Sequence, residues 1–372
     1  MNSIDQGFTI EKKTYTARQV LTIAELGTAH AADPVKAREL IDAAAESGAD
    51  CIKFQMVYAD EILHPNTGEV RLPGGVIRLY ERFKRLEVDP AFFVDMKAYV
   101  ESRGLLFLCT PFGIRSAQEV RDLRPQVLKI ASPELNHTKL LREIASYQKP
   151  VFLSTGVSKL GDIEEALGIL AAGKTRVCLL HCVTAYPAPV REYNLRILKS
   201  LASVFGLPVG LSDHSLDPEL VPVLGVAVGA GAIEKHFCLS RSDSGLDDPI
   251  ALPPADFKKM VRAIRRASTR EPSSIIEEVS QERGMELVQA ILGDGVKRLA
   301  PSEVAYYERT NRSLHALRDI QEGERITAAM VAALRTEKLL RPGLPPSWES
   351  RIIGRKAQAF IPAGEGIRFE DL

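Results

Sequence analysis

Eight short apolar runs lie along the first 240 or so residues, and each ends on polar or charged side chains. They occupy positions 22–27, 51–55, 106–111, 127–132, 151–156, 177–182, 209–214 and 232–237. Between them the apolar positions recur with helical period, which predicts strand and helix alternating eight times. The helices are expected over 33–47, 90–103, 114–122, 139–146, 161–171, 194–204, 217–229 and 253–266. Asp33-Pro34 and Asp89-Pro90 each supply a capping acceptor followed by proline at the first helical position. Ser47-Gly48, Arg103-Gly104 and Ala172-Gly173 supply matching stops. The implied α/β fold is a closed TIM (β/α)8 barrel, which places its chemistry at the C-terminal ends of its strands.

Residues 4–16 alternate apolar and polar around Glu11-Lys12-Lys13, predicting a small hairpin ahead of the barrel. Segment 57–88, with Asn66-Thr67-Gly68 and Pro73-Gly74-Gly75, reads as an irregular lid or substrate wall. Residues 268–310 are polar and charge-rich, an extended or helical connector. From Asn311 onward short alternating runs are broken by Gly323, Pro342-Gly343, Pro345-Pro346 and Gly364, predicting a compact domain of short strands. Phrases 318–326 and 359–367 share one form, an apolar residue followed by Gly-Glu and then Ile, which predicts internal pseudo-symmetry. The divisions are therefore a barrel domain over 1–267, a linker over 268–310 and a C-terminal domain over 311–372.

Composition adds exclusions. The 372 residues are 45% apolar and 26% charged, with 48 basic and 48 acidic side chains. A zero net charge argues against a nucleic-acid surface or a polybasic membrane face, so local charges must meet any anionic ligand. Met1 to Phe8 carry neither a basic flank nor an apolar run, and no leader is expected. No uncharged apolar run approaches 18 residues. The five cysteines fall in predicted strands without a Cys-x-x-Cys, as small buried hydrophobes of a reducing compartment, so a cytoplasmic protein is expected.

Alternation places Glu234 with His236, and Ser212 with His214, on one side of neighbouring strands. Two histidines on one rim, each beside an acidic residue (Asp213, Glu234), read either as hydrogen-bonded structural residues or as ligands of a cation such as Mn²⁺ or Zn²⁺. Lys53 and Lys129 interrupt otherwise apolar runs. A buried ammonium needs a counter-charge, from a phosphate or carboxylate ligand or from Glu25 or Glu234. Thr110, Ser132, Ser154 and Ser212 stand at comparable strand ends and can donate to the same anion.

Ile23–Gly27 with His30, Ile52–Gln55, Leu128–Glu134, Tyr186-Pro187, Gly210–His214 and Glu234–Phe237 together resemble the sialic acid synthase family. Asn311-Arg312-Ser313, Ile320–Gly323, Arg341–Gly343 and Ile353–Arg355 resemble its C-terminal antifreeze-like (SAF) domain. The resemblance implies condensation of phosphoenolpyruvate with the open-chain aldehyde of an N-acetylated amino sugar. It implies that His214 and His236 hold a divalent metal, Mn²⁺ with Mg²⁺ or Co²⁺ as alternatives. Lys53, Lys129, Thr110, Ser132, Ser154, Thr184 and Ser212 would bind phosphoenolpyruvate, and Glu25 would act at the reacting carbon. Gln55, Glu134, Tyr186 and Asp247 would contact sugar hydroxyls, and Arg312 the N-acyl group. A homodimer, domain-swapped so that the tail reaches over the partner's barrel, is the implied assembly.

The chain also departs from that pattern. Asn-His-Asn-Gly becomes Ala29-His30-Ala31-Ala32, Gly-Ser-Gly-Glu becomes Ala131-Ser132-Pro133-Glu134, and Thr184 replaces an asparagine. These changes fall on substrate walls. Two other readings stay open: a synthase of other 3-deoxy-2-keto sugar acids, and a non-catalytic carbohydrate-binding protein on the same scaffold.

Overall fold

The computed structural model describes residues 7–72, 75–243 and 245–372. Eight parallel strands close a barrel: β1 (Leu21–Gly27), β2 (Cys51–Met56), β3 (Leu106–Pro111), β4 (Val127–Ile130), β5 (Val151–Ser154), β6 (Val177–Cys182), β7 (Val209–Asp213) and β8 (Ala232–His236). They pair in chain order, and β8 closes onto β1 with His236 beside Glu25. The helices Pro34–Glu46, Pro90–Ser102, Ile114–Asp122, Thr138–Ser146, Leu160–Ala172, Ile197–Phe205, Leu220–Ala227 and Pro254–Ser268 take the predicted places. Asp33 and Asp89 cap as expected, each accepting a backbone N–H at 2.8 Å. Gly48 and Gly104 end their helices at φ 92° and 74°. Gly173 does not: it keeps φ −86°, and Lys174 makes the left-handed turn at φ 57°.

Alternation sorts the barrel interior into layers. Leu21, Ile23, Cys51, Leu108, Val127, Phe152, Cys178, Leu180 and Ala232 form an apolar floor, sealed by Phe8, Ile10 and Tyr15. Those three come from the hairpin Phe8–Ile10 and Lys13–Tyr15, the first residues of its expected span lying outside the described ones. The same parity continued upward brings Glu25, Lys53, Gln55, Thr110, Lys129, Ser154, Ser212, Glu234 and His236 to the C-terminal rim. The five cysteines are free and buried, but Cys238 lies two residues beyond β8 rather than in a strand.

Segment 57–88 is more regular than expected. It holds the short helix Ala59–Ile62, the 3-10 turn Pro65–Thr67, a hairpin of Glu69–Leu72 with Gly75–Arg78, and the helix Leu79–Lys84. Its Pro73 and Gly74 lie outside the described residues. This segment seats the C-terminal domain, since Thr67 O accepts from Leu339 N at 3.1 Å and Ala363 O accepts from Asn66 Nδ2 at 3.0 Å. The connector is helical over Pro272–Arg283 and Met285–Leu292, and Ile275, Val288, Ile291 and Leu292 join the main core. It folds back along the barrel and delivers the chain to the C-terminal rim.

The C-terminal domain pairs Arg312–Ala316 with Val331–Arg335 antiparallel around its own apolar core. Its repeated phrases are related by symmetry. Ile320 and Ile361 exchange two backbone hydrogen bonds of 2.9 Å, while Gly323 N donates to Ala357 O at 2.8 Å and Gly364 N to Ala316 O at 2.7 Å. Gly323 and Gly364 both turn left-handed, at φ 77° and 92°.

The alanines of the altered first loop carry strain. Ala31 and Ala32 sit at φ 50° and 62° in an exposed turn, a region costing a non-glycine residue about 1–2 kcal/mol. Ala32→Gly should therefore raise the unfolding free energy by about 0.5–1 kcal/mol in denaturant titrations. The same change at helical Ala43 should lower it by about 1 kcal/mol, and a loss at both positions would refute the strain.

Candidate active site

Glu234 is the hub of the rim. Its Oε1 accepts from Lys53 Nζ at 2.8 Å, Lys129 Nζ at 3.0 Å and Ser212 Oγ at 3.0 Å, and its Oε2 accepts from Lys129 Nζ at 2.9 Å. Lys53 Nζ also stands 3.0 Å from Glu25 Oε2, off the direction of a hydrogen bond, while Glu25 Oε1 accepts from Gln55 Nε2 at 2.7 Å. All four charged side chains are buried. Of the two sources of counter-charge expected, a ligand or Glu25 and Glu234, the two glutamates are present within the chain, and the cluster is neutral. Burial lowers Lys53 to about 8 even against the pull of Glu234. Burial opposes ionisation of Glu234 too, but Lys129 and Lys53 outweigh it and hold the carboxyl well below its ordinary 4.5.

Beside this cluster stand the two imidazoles. His214 and His236 have ring centroids 5.4 Å apart, and Tyr186 stacks on His214 at 4.3 Å. His214 Nδ1 lies 3.0 Å from Val183 O, so its proton points there and leaves Nε2 with a free lone pair, the tautomer of a ligating histidine. Asp247 Oδ2 is 3.8 Å from His236 Nδ1, and burial pushes its carboxyl up to about 6. Asp213 does not join them. Its parity turns it to the outside of the barrel, where it accepts from Lys235 Nζ at 2.6 Å and from Tyr193. Among the described residues no three His, Cys, Asp or Glu side chains converge as a ready metal cluster. The donor set therefore fits a cation held by two imidazoles that completes its shell with oxygens from outside the chain.

A third group lines the side of β4 to β6. Ser132 Oγ is 3.0 Å from Ser154 Oγ and accepts from Gly156 N at 2.9 Å, and Thr184 faces the same glycine. Thr110, level with Gln55 in the β2–β3 register, has a buried hydroxyl without a partner.

Glu134 and Arg312 meet each other. Glu134 Oε1 accepts from Arg312 Nε and Nη2 at 3.2 and 2.9 Å and from Arg335 Nε and Nη2 at 3.2 and 2.7 Å. Arg312 Nη2 also donates to Phe112 O at 2.7 Å, and its guanidinium is fully buried. Both residues are thus engaged in a contact between the barrel and the domain that follows it. In the single chain that contact joins the tail to its own barrel. The helical connector returns the chain to that rim.

The NeuB family model matches residues 40–274, and the SAF domain model matches residues 311–372. The chain belongs to the NeuB family. It is 33% identical to an N,N'-diacetyllegionaminic acid synthase of Campylobacter jejuni, covering 82% of this chain and 87% of that one. It is 31% identical to a pseudaminic acid synthase of the same species, covering 96% and 97%. The crystal structure of the spore coat polysaccharide biosynthesis protein SpsE of Bacillus subtilis shares 31% identity over 98% of each chain, with a TM-score of 0.82.

The sequence reading left Glu234, Arg335 and Glu303 out of its site residues. Glu234 was weighed as a partner for the lysines and as the acidic neighbour of His236 on the interior face, but not as the hub that joins them. Arg335 and Glu303 carry no local signal, because only the folded tail brings them to the rim.

Glu234→Gln leaves two buried ammonium groups sharing a neutral amide, which should cost about 3–5 kcal/mol of stability. Because the folded pKa of Glu234 is depressed, its contribution is full above about pH 4.5 and is lost as pH falls through and below that value. Denaturant titrations should show a constant gap between variant and wild type from about pH 5 to 7 that narrows below 4.5. A gap that widened on acidification would contradict the assignment.

Proposed function

We propose that this chain is a nonulosonic acid synthase that condenses phosphoenolpyruvate with the aldehyde of an N-acetylated amino sugar of the N-acetylmannosamine kind. The observation that supports this best is the convergence of Lys53 and Lys129 on Glu234, within 3.0 Å, on the rim that also carries His214 and His236. Two ammonium groups and the hydroxyls of Ser132, Ser154, Thr184, Ser212 and unpartnered Thr110 suit a phosphate and a carboxylate. Glu25, whose Oε2 lacks a hydrogen-bond partner, is the carboxylate placed to steady positive charge at the carbon receiving water and to orient that water. The enol carbon attacks the aldehyde, water adds at the neighbouring carbon, and phosphate leaves with C–O cleavage.

His214 and His236 would hold a divalent ion, Mn²⁺ with Mg²⁺ or Co²⁺ as alternatives, which supplies a Lewis acid for a carbonyl oxygen. Tyr186, Asp247 and Gln55 flank the space beside those imidazoles and would orient the sugar, with Glu134 and Arg312 closing its far wall. The four-charge cluster is neutral, so an anionic substrate and a dication arriving together keep the pocket near balance. A cytoplasmic homodimer completes the reading.

The decisive assay is phosphate release with Mn²⁺, phosphoenolpyruvate and a panel of N-acetylated hexosamines. Release with N-acetylmannosamine or a 2,4-diacetamido sugar is expected. Release only with pentose or tetrose phosphates would point to another sugar-acid synthase, and none at all to a binding protein. His236→Ala should abolish turnover and also Mn²⁺ binding followed by electron paramagnetic resonance. Lys53→Ala should raise the phosphoenolpyruvate requirement, and an effect confined to the sugar would contradict the placement of the anion.

A further inference from the structure

One buried carboxylate outside the barrel takes no part in that chemistry. Glu303 lies near the end of the connector, in the 3-10 turn Pro301–Glu303, and is 1% exposed. Its Oε1 accepts the backbone N–H of Val157 at 2.7 Å and of Thr184 at 2.8 Å, and its Oε2 accepts that of Ala300 at 3.0 Å. Val157 and Thr184 stand in the loops that follow β5 and β6. One side chain from beyond the barrel therefore clips two of its catalytic loops together.

The clipped turn is strained. Val157 is β-branched and fully buried, yet it sits at φ 40°, where such residues are rare and costly unless the surroundings over-determine them. Here they do, because its N–H is held by Glu303 and its C=O accepts from Asn311 Nδ2 at 2.9 Å. Lys297 Nζ adds a bond to Thr155 O at 2.8 Å. All three holding groups come from residues after the barrel. What the turn positions is Gly156, whose N–H meets Ser132 Oγ and whose missing side chain lets Thr184 close in. A Cβ there would fall 2.1 Å from Thr184 Oγ1 and 2.9 Å from Ser132 Oγ.

We propose that Glu303, assisted by Asn311, is a positioning residue that holds the Val157 turn left-handed and so aligns the hydroxyls of Ser132, Ser154 and Thr184 for an anion. The identity of that anion rests on the synthase reading, whereas the holding of the turn does not. The C-terminal half then builds the phosphate end of the pocket as well as the far wall closed by Arg312.

Full-length Glu303→Ala should raise the KM for phosphoenolpyruvate about tenfold or more and leave the sugar KM within about twofold, since it frees two amides that set the hydroxyls. Hydrogen exchange at Val157 and Thr184 should accelerate by at least about tenfold in the same variant. Glu303→Gln keeps a carbonyl for both amides and should stay within about threefold of wild type. Adding Val157→Gly to Glu303→Ala should recover part of the lost affinity, because glycine takes φ 40° freely. Should Glu303→Ala fail to fold, Asn311→Ala, which frees the Val157 carbonyl, should show the same KM split and the same recovery from Val157→Gly. Unchanged exchange, a defect confined to the sugar, or no recovery from Val157→Gly would overturn the proposal. A wild type that never turns over phosphoenolpyruvate would instead end the synthase reading, and the exchange measurement would still decide the role of Glu303.

Discussion

Two ammonium groups sharing one carboxylate inside a closed barrel set the terms for everything around them. Lys53 and Lys129 cannot be buried alone, because an ionised amine in a low-dielectric interior costs several kcal/mol unless it is paired and hydrogen-bonded. Glu234 meets both, Ser212 adds a donor to it, and Glu25 supplies the second negative charge. The apolar floor beneath, capped by Phe8, Ile10 and Tyr15, lowers the local dielectric and so sharpens each interaction above it. The barrel thus keeps its charges concentrated at one end.

The rim is completed from outside the barrel. A single oxygen of Glu134 accepts both Arg312 and Arg335 from the C-terminal domain, and Glu303 reaches in from the connector to two loop amides. Such contacts span more than a hundred residues of sequence, so loosening the tail would disturb the loops after β5 and β6 directly. Barrel and tail act as one unit, which fits a family model and a domain model that together cover most of the chain.

Strain is distributed unevenly along these loops. Ala31 and Ala32 adopt left-handed backbone on the surface, where the resembling family carries asparagine and glycine, and their N–H groups are held only by the turn itself, at Thr28 O (3.0 Å) and His30 Nδ1 (3.1 Å). Val157 adopts it in the interior and is held at both its backbone groups. The difference separates a drifted surface turn from one that the fold enforces.

Much of the architecture was legible without coordinates. Strand-helix alternation specified the barrel, parity put Lys53, Lys129, Ser212, Glu234 and His236 on the inside, and the two Gly-Glu phrases foretold the symmetric tail. These are local properties, since backbone periods of 2 and 3.6 residues write themselves into neighbouring positions. Tertiary structure alone decided that Glu234 rather than a ligand balances the lysines, that Asp213 faces Lys235 instead of a metal, and that Glu303, Arg335 and Arg312 lock the tail onto its own barrel. Those outcomes depend on which distant side chains meet at 3 Å, and no repeat or spacing along the chain encodes a distance between segments that folding brings together.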